Sequence, residues 1–284
     1  MKPLLFVLLL SFSGALHALC EDPRAVPAGS AVNGFYLGAD GCFFDPAAIA
    51  FEDVPPVGDP NAPRLVYLNG ANPTPVRELE KLTLLAASAG QAVIGIYGEV
   101  RTADGTAQQL NDIQPAVGTL AALVLAHAQA GQALHLRGGS LGGTLIAQGL
   151  ALGKAKALLQ LGPRRALAAL RQFKVETAGG VALWYPDGPQ YVHYANLLDS
   201  NARRLGVLSL PAAPGLGSVI ALFIDTAPPM EDAYEVLDPE TYRALERHGF
   251  SVYLDNRRPF EAVYEHQRIH GIRDYLWVSR LPAG

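Results

Sequence analysis

The sequence predicts one α/β domain, with a mostly parallel sheet and helices on both of its faces. Three observations predict it. Short apolar runs that do not alternate with polar residues recur along the chain, as in Arg64-Leu65-Val66-Tyr67-Leu68. Strands of that kind belong to sheets covered on both sides. Helical stretches lie between these runs, which is the order a parallel sheet requires. Finally, the run Leu134-His135-Leu136 leads through Gly138-Gly139-Ser140-Leu141-Gly142 directly into a helical pattern, so a tight glycine-bounded turn joins strand to helix. The 284 residues, 50% of them hydrophobic, suffice for one substantial core. No internal repeat, coiled coil, low-complexity segment or interdomain linker is visible.

Taken in order, residues 1–19 read as a secretory signal. Lys2 supplies the positive start, Leu4 to Leu10 the short apolar stretch, and small residues follow, with cleavage after Ala15 or Ala18. The apolar stretch is too short to span a bilayer comfortably, so no integral membrane anchor is expected after cleavage. The implied location is periplasmic or secreted. The two cysteines, Cys20 and Cys42, then suggest one disulfide formed after export. Residues 20–62 are rich in Pro, Gly and Asp and form a lead-in hairpin or loop, with a short strand at Gly34-Phe35-Tyr36-Leu37.

Residues 63–284 form the main domain. Pro63 and Asn69-Gly70 bound a buried strand over residues 64–68. Thr74 as N-cap and Pro75 in the first turn start a helix that Gly90 ends. A strand over residues 92–97 and a polar loop over residues 99–114 precede an Ala/Leu-rich helix over residues 115–129. The helical pattern after Ser140 covers residues 144–152. Further strands are expected at residues 157–161, 181–185, 191–195 and 219–223. A last helical region begins near Pro239 and carries His248.

Charged residues make up only 17% of the chain and the formal net charge is −4, with no basic cluster dense enough for a nucleic-acid partner. No C-x-x-C or H-E-x-x-H pattern occurs, so neither a metal nor an organic cofactor is expected. The chemistry rests instead on the G-x-S-x-G spacing, Gly138 to Gly142. A serine in so sharp a strand-to-helix turn has its Oγ lifted clear of the sheet edge, beside the first amides of the next helix. Ser140 is the candidate nucleophile.

In this arrangement an acid and then a histidine follow the serine in the chain. Of seven histidines, His17, His127 and His135 precede Ser140. His193 lies mid-strand and ahead of the best acid. His248 ranks first, His270 second and His266 third; Arg268 and Arg273 flank His270 and disfavour the imidazolium a base must become. Asp187, Asp199 and Asp225 sit at strand ends. Asp187 reads more simply as an Asp-Gly turn and Asp225 as the start of a loop, which leaves Asp199. An oxyanion needs two backbone amides: Leu141 supplies one, and Ala71 or Asn72 in the Asn69-Gly70-Ala71-Asn72 loop the other.

The elbow Gly138-Gly139-Ser140-Leu141-Gly142-Gly143 resembles the G-H-S-L-G-G elbow of the class 3 (fungal-type) lipases of the α/β-hydrolase superfamily, with Gly139 in place of histidine. Tyr194-Ala195-Asn196-Leu197-Leu198-Asp199 is similar to that family's acid segment. His248-Gly249-Phe250-Ser251-Val252-Tyr253 is similar to its D-H-x-x-Y segment, with one extra residue before the tyrosine. From about Leu65 to Leu254 the chain also resembles a group of bacterial hydrolase-like proteins that share the N-G-x-N turn, the V-I-G-I-Y strand, the P-D-G-P-x-Y-V-H-Y-x-N-x-x-D stretch and H-G-F-x-x-Y-L. These resemblances imply a single α/β-hydrolase-type domain. They also imply a serine hydrolase that cleaves a small-molecule ester or lipid through Ser140, His248 and Asp199. Acyltransferase or thioesterase chemistry, or a non-catalytic binding protein on the same scaffold, are the alternatives. Residues 211–216 and 226–230 are candidates for a lid or acyl pocket.

Overall fold

The computed structural model describes residues 20–27, 29–99, 114–210, 212–224, 248–255 and 274–279. The expected signal, most of the loop over residues 99–114, residues 226–230, Asp225, His266, His270 and the helical region near Pro239 lie outside these. Within the described residues a nine-stranded sheet has the order β2-β1-β4-β3-β5-β6-β7-β8-β9. The strands are β1 (Tyr36–Leu37), β2 (Phe43–Phe44), β3 (Arg64–Leu68), β4 (Ala92–Ile96), β5 (His135–Gly139), β6 (Lys174–Ala178), β7 (Gln190–Asn196), β8 (Val219–Ile224) and β9 (Asp274–Ser279). From β4 to β9 every pairing is parallel, whereas β1 pairs antiparallel with both β2 and β4. The lead-in is thus a hairpin built into the edge of the main sheet. A Cys20–Cys42 disulfide, with Cα atoms 5.2 Å apart, ties it down.

Alternation along β3 explains the two-faced core. Leu65 and Tyr67 face the layer that holds Leu82 and Leu85 of helix α1 (Pro75–Ala89), with Phe250 and Leu254 of the short helix α6 (Phe250–Asp255) packed on it. Val66 and Leu68 face the opposite layer. That layer takes Leu120 and Val124 from α2 (Gln114–Ala130), Leu145, Ile146 and Leu150 from α3 (Leu141–Leu161), and Leu170 from α4 (Pro163–Leu170). Side chains of this kind, removed fully from water, contribute about 1.5–3 kcal/mol each. The expected punctuation of α1 is present. Thr74 Oγ1 accepts from the Arg77 amide at 3.4 Å, and Gly90 ends the helix in the left-handed region at φ 61°. Helices α2 and α3 pack closely, because a Cβ on Gly149 or Gly153 would lie 2.5 or 2.4 Å from Leu120 or Val124.

Two expected strands are not strands. Residues 157–161 are the last turn and a half of α3, with Ala157 buried and Leu159 87% exposed. A short apolar run has no period of its own to separate strand from helix. Residues 181–185 form a loop with one bridge, Trp184 to Ala213; Ala182 and Tyr185 are buried while Leu183 and Trp184 are 44% and 52% exposed, so the apolar run is shared between core and surface without the burial of a central strand. The strand actually beside β5 is β6, Lys174-Val175-Glu176-Thr177-Ala178. Its alternating polar letters hide a buried position: Glu176 is fully buried and accepts from His135 Nε2 at 2.8 Å, Arg137 Nη1 at 3.0 Å and Lys174 Nζ at 3.0 Å. Helix α4 and the six-residue α5 (Ser200–Leu205) are further elements beyond the expected set.

Candidate active site

Strand order changes direction at β3: the chain first moves to β4 on one side and then to β5 on the other. Open parallel sheets bind ligands outside the carboxyl ends of their strands at such a switch point. The loop after β3 and the turn after β5 meet there, with Leu68 paired to Gly138 in register.

Ser140 holds φ 52° and ψ −121°, one of three non-glycine residues with positive φ among those described. This strained conformation persists because the surroundings over-determine it. The Ser140 amide donates to Ala178 O at 3.0 Å, and its carbonyl accepts from the Gly143 and Val181 amides at 3.0 and 3.1 Å. The flanking glycines are required by contact. A Cβ on Gly138 would lie 2.7 Å from the Gly142 backbone and 2.8 Å from Ile146 Cδ1, and one on Gly142 would lie 2.2 Å from Leu68 O. Gly139 differs: its Cβ would meet Tyr67 Oη at 3.7 Å, an ordinary contact. The Ser140 hydroxyl does not cap α3, so it is not spent on the helix.

The loop after β3 runs against the elbow. A Cβ on Gly70 would lie 3.2 Å from Gly139 O and from Ser140 Cβ. Asn72 turns the loop with φ 49°. Asn69, buried, anchors it: Nδ2 donates to Gly70 O and Gly98 O, and Oδ1 accepts from the Gly98 amide, each at 2.8 Å. Sequence reasoning saw Asn69 only as a turn residue. Its place between a strand end and a glycine was the available signal. Leu141, the first residue of α3, lies on the elbow side of this junction, and Ala71 and Asn72 on the loop side.

Asp199 follows β7 and is fully buried. It is the N-cap of α5, where Asp is favoured because its side chain accepts from first-turn amides. Oδ1 accepts from the Asn201 and Ala202 amides at 2.9 and 3.1 Å. Oδ2 accepts from His248 Nδ1 at 2.5 Å and from Tyr253 Oη at 2.5 Å. His248 lies in a turn before α6 rather than within a helix. Its Nε2 is buried and has no hydrogen-bond partner. Acid and elbow are adjacent through β6: the residue after Ala178, Gly179, would carry a Cβ 2.9 Å from Asp199 Oδ2. Burial, reinforced by the Asp199 charge, holds the Tyr253 phenol well above its ordinary pKa, so it stays a proton donor.

The remaining described histidines are occupied elsewhere. His193 is fully buried between Thr177 Oγ1 at 2.8 Å and Pro214 O at 2.9 Å. His127 bonds Leu123 O at 3.1 Å, and His135 contacts Glu176 and Gln91. Asp187 stands in an exposed turn, where Oδ1 accepts from the Leu216 amide at 2.7 Å. Beside the elbow the loop carrying Trp184 is laced to that carrying Ala213, by Tyr185 N to Ala213 O at 2.8 Å and Ala213 N to Leu183 O at 2.7 Å.

No protein-family model matches the chain, and no curated protein does. Among solved structures it is similar to LpqC, a poly(3-hydroxybutyrate) depolymerase from Bordetella parapertussis, at 16% identity over 79% of this chain and 74% of that one, with a TM-score of 0.30. It is also similar to EstE1, a thermophilic carboxylesterase cloned from a metagenomic library, at 11% identity over 95% and 84%, with a TM-score of 0.31. A third is an S-formylglutathione hydrolase from Agrobacterium tumefaciens, at 14% identity over 78% and 76%, with a TM-score of 0.24. At such TM-scores these likenesses establish neither family nor activity.

Proposed function

We propose that the chain is an exported serine hydrolase of the α/β-hydrolase type that cleaves carboxylic esters. The observation that carries the reading is the bond from His248 Nδ1 to Asp199 Oδ2, which leaves Nε2 unpartnered at the sheet edge where the strained Ser140 elbow stands. Serine, acid and histidine also follow one another in the chain order that this elbow type requires.

In the reaction Ser140 Oγ attacks the ester carbonyl carbon while His248 Nε2 takes its proton. Asp199 holds the imidazole by Nδ1 and stabilises its charge. The tetrahedral oxyanion is bound by the Leu141 amide and by that of Ala71 or Asn72. Collapse breaks the bond to the alkoxy oxygen, which leaves as the alcohol with the proton from Nε2. Water, deprotonated by the same nitrogen, then attacks the acyl-enzyme, releasing the acid and restoring Ser140. No metal or organic cofactor enters these steps.

The substrate is an ester with an apolar acyl part. Leu183, Trp184, Leu205, Leu210 and Leu216 are all exposed on segments that follow β6 and β7. Val181, in the first of these segments, donates to the Ser140 carbonyl at 3.1 Å, so that segment starts at the elbow. The Cys20–Cys42 disulfide supports an oxidising compartment. No helix among the described residues is long and apolar enough to cross a membrane.

A fluorophosphonate probe tests the reading. The wild type is labelled and Ser140→Ala is not; a wild type that stays unlabelled while folded overturns it and favours a binding protein.

A further inference from the structure

We propose that Tyr253 is a positioning residue for the acid, its hydroxyl sharing Asp199 Oδ2 with His248 so that the carboxylate is held at all four of its acceptor sites. The inference rests on the reading of Ser140, His248 and Asp199 given above.

The bonding directions are fixed. The Asn196 amide, at the end of β7, donates to Tyr253 Oη at 3.2 Å, so the phenol proton cannot be given there. It goes to Asp199 Oδ2 at 2.5 Å. The ring is 1% exposed and meets Phe223 edge-on at 5.3 Å, which leaves the hydroxyl no rotamer towards water.

A carboxylate offers about four lone-pair sites. Two α5 amides take Oδ1, and Tyr253 takes one site on Oδ2, so a single direction remains for His248. Two consequences follow. The imidazole is steered to one orientation, since Asp199 offers no second site. The second donor also draws charge from Oδ2, so the bond to His248 is weaker than one to a carboxylate held only by the helix cap. Tyr253 and His248 lie in one short segment, so the same bond docks the histidine-bearing turn on the sheet.

The test is the NMR signal of the His248 Nδ1 proton, recorded in a Ser140→Ala background, where catalysis plays no part. It is assigned by its disappearance in Asp199→Asn. Tyr253→Phe removes the competing donor, and the resonance moves downfield. Difluorotyrosine incorporated at position 253 keeps the ring and makes a stronger donor, and the resonance moves upfield. The second substitution also keeps the test open if Tyr253→Phe fails to fold. Opposite displacements carry the proposal; a resonance unmoved in both proteins, or moved the same way, overturns it. Fluorophosphonate labelling of the Ser140-containing protein is a separate readout. Its failure falls on the nucleophile, while the two displacements alone decide Tyr253.

Discussion

His248 Nδ1 donates to Asp199 Oδ2 across 2.5 Å, although 49 positions separate the two residues. If this pair drives the reaction, His248→Ala and Asp199→Asn each lower kcat on a p-nitrophenyl ester by about 10³–10⁴-fold with little change in KM, because the lost interaction belongs to the transition state. His270→Ala, measured beside them, retains activity within about twofold. Full activity in His248→Ala together with loss in His270→Ala reverses the assignment.

The elbow glycines predict an asymmetric tolerance. Gly142→Ala drives a methyl to 2.2 Å from Leu68 O, and Gly138→Ala drives one to 2.7 Å from the Gly142 backbone. Neither neighbour is a flexible side-chain end, so each substitution costs about 3 kcal/mol or more, or prevents folding. Gly139→Ala meets only a 3.7 Å contact and leaves stability within about 0.5 kcal/mol. Thermal unfolding of the three variants checks the order. Equal losses at all three positions contradict the contact argument.

These glycines also explain what was legible in the sequence. Spacing alone marked Gly138 and Gly142, since the same contacts that exclude a side chain dictate the letters. Capping did the same for α1, where Thr74, Pro75 and Gly90 each act locally. Legibility failed where a residue answers to a distant partner. Glu176 reads as solvent-facing until Arg137 on the next strand is seen to pair with its charge and His135 to hydrogen-bond it, so the letters of β6 do not show a buried strand. At 157–161 the letters are apolar enough for a strand, and only the continuing helix decides them. Asp199 could be chosen from its place after a strand, but its cap role depends on α5, which lacks a periodic apolar face.

An exposed tryptophan in the segment that starts at the elbow predicts acyl-chain selectivity. Trp184 is 52% exposed, three residues beyond the amide that bonds the Ser140 carbonyl. If an acyl chain lies on it, Trp184→Ala removes about 1 kcal/mol of apolar contact available only to long chains. The expected result is a three- to tenfold fall, roughly, in kcat/KM for an octanoate ester, with the acetate ester within about twofold. Parallel losses on both esters assign Trp184 a structural role instead.

Glu78 predicts a pH dependence of stability unconnected with catalysis. It is 2% exposed in the first turn of α1, and burial raises its pKa above the ordinary 4.5, an effect Lys81 only partly offsets through a 2.7 Å bond to Oε1. Because its folded pKa is the higher one, the native state binds more protons than the unfolded state between 4.5 and the raised value. Stability therefore falls as pH rises through that window, and the low-pH contribution is lost above it. Glu78→Gln cannot titrate, so its unfolding free energy loses this downward slope, and the difference from wild type shifts in favour of the variant as pH rises above 4.5. Urea unfolding at a series of pH values measures both slopes. Identical slopes in the two proteins mean that Glu78 ionises in the folded state as freely as in the unfolded chain, and the burial argument fails.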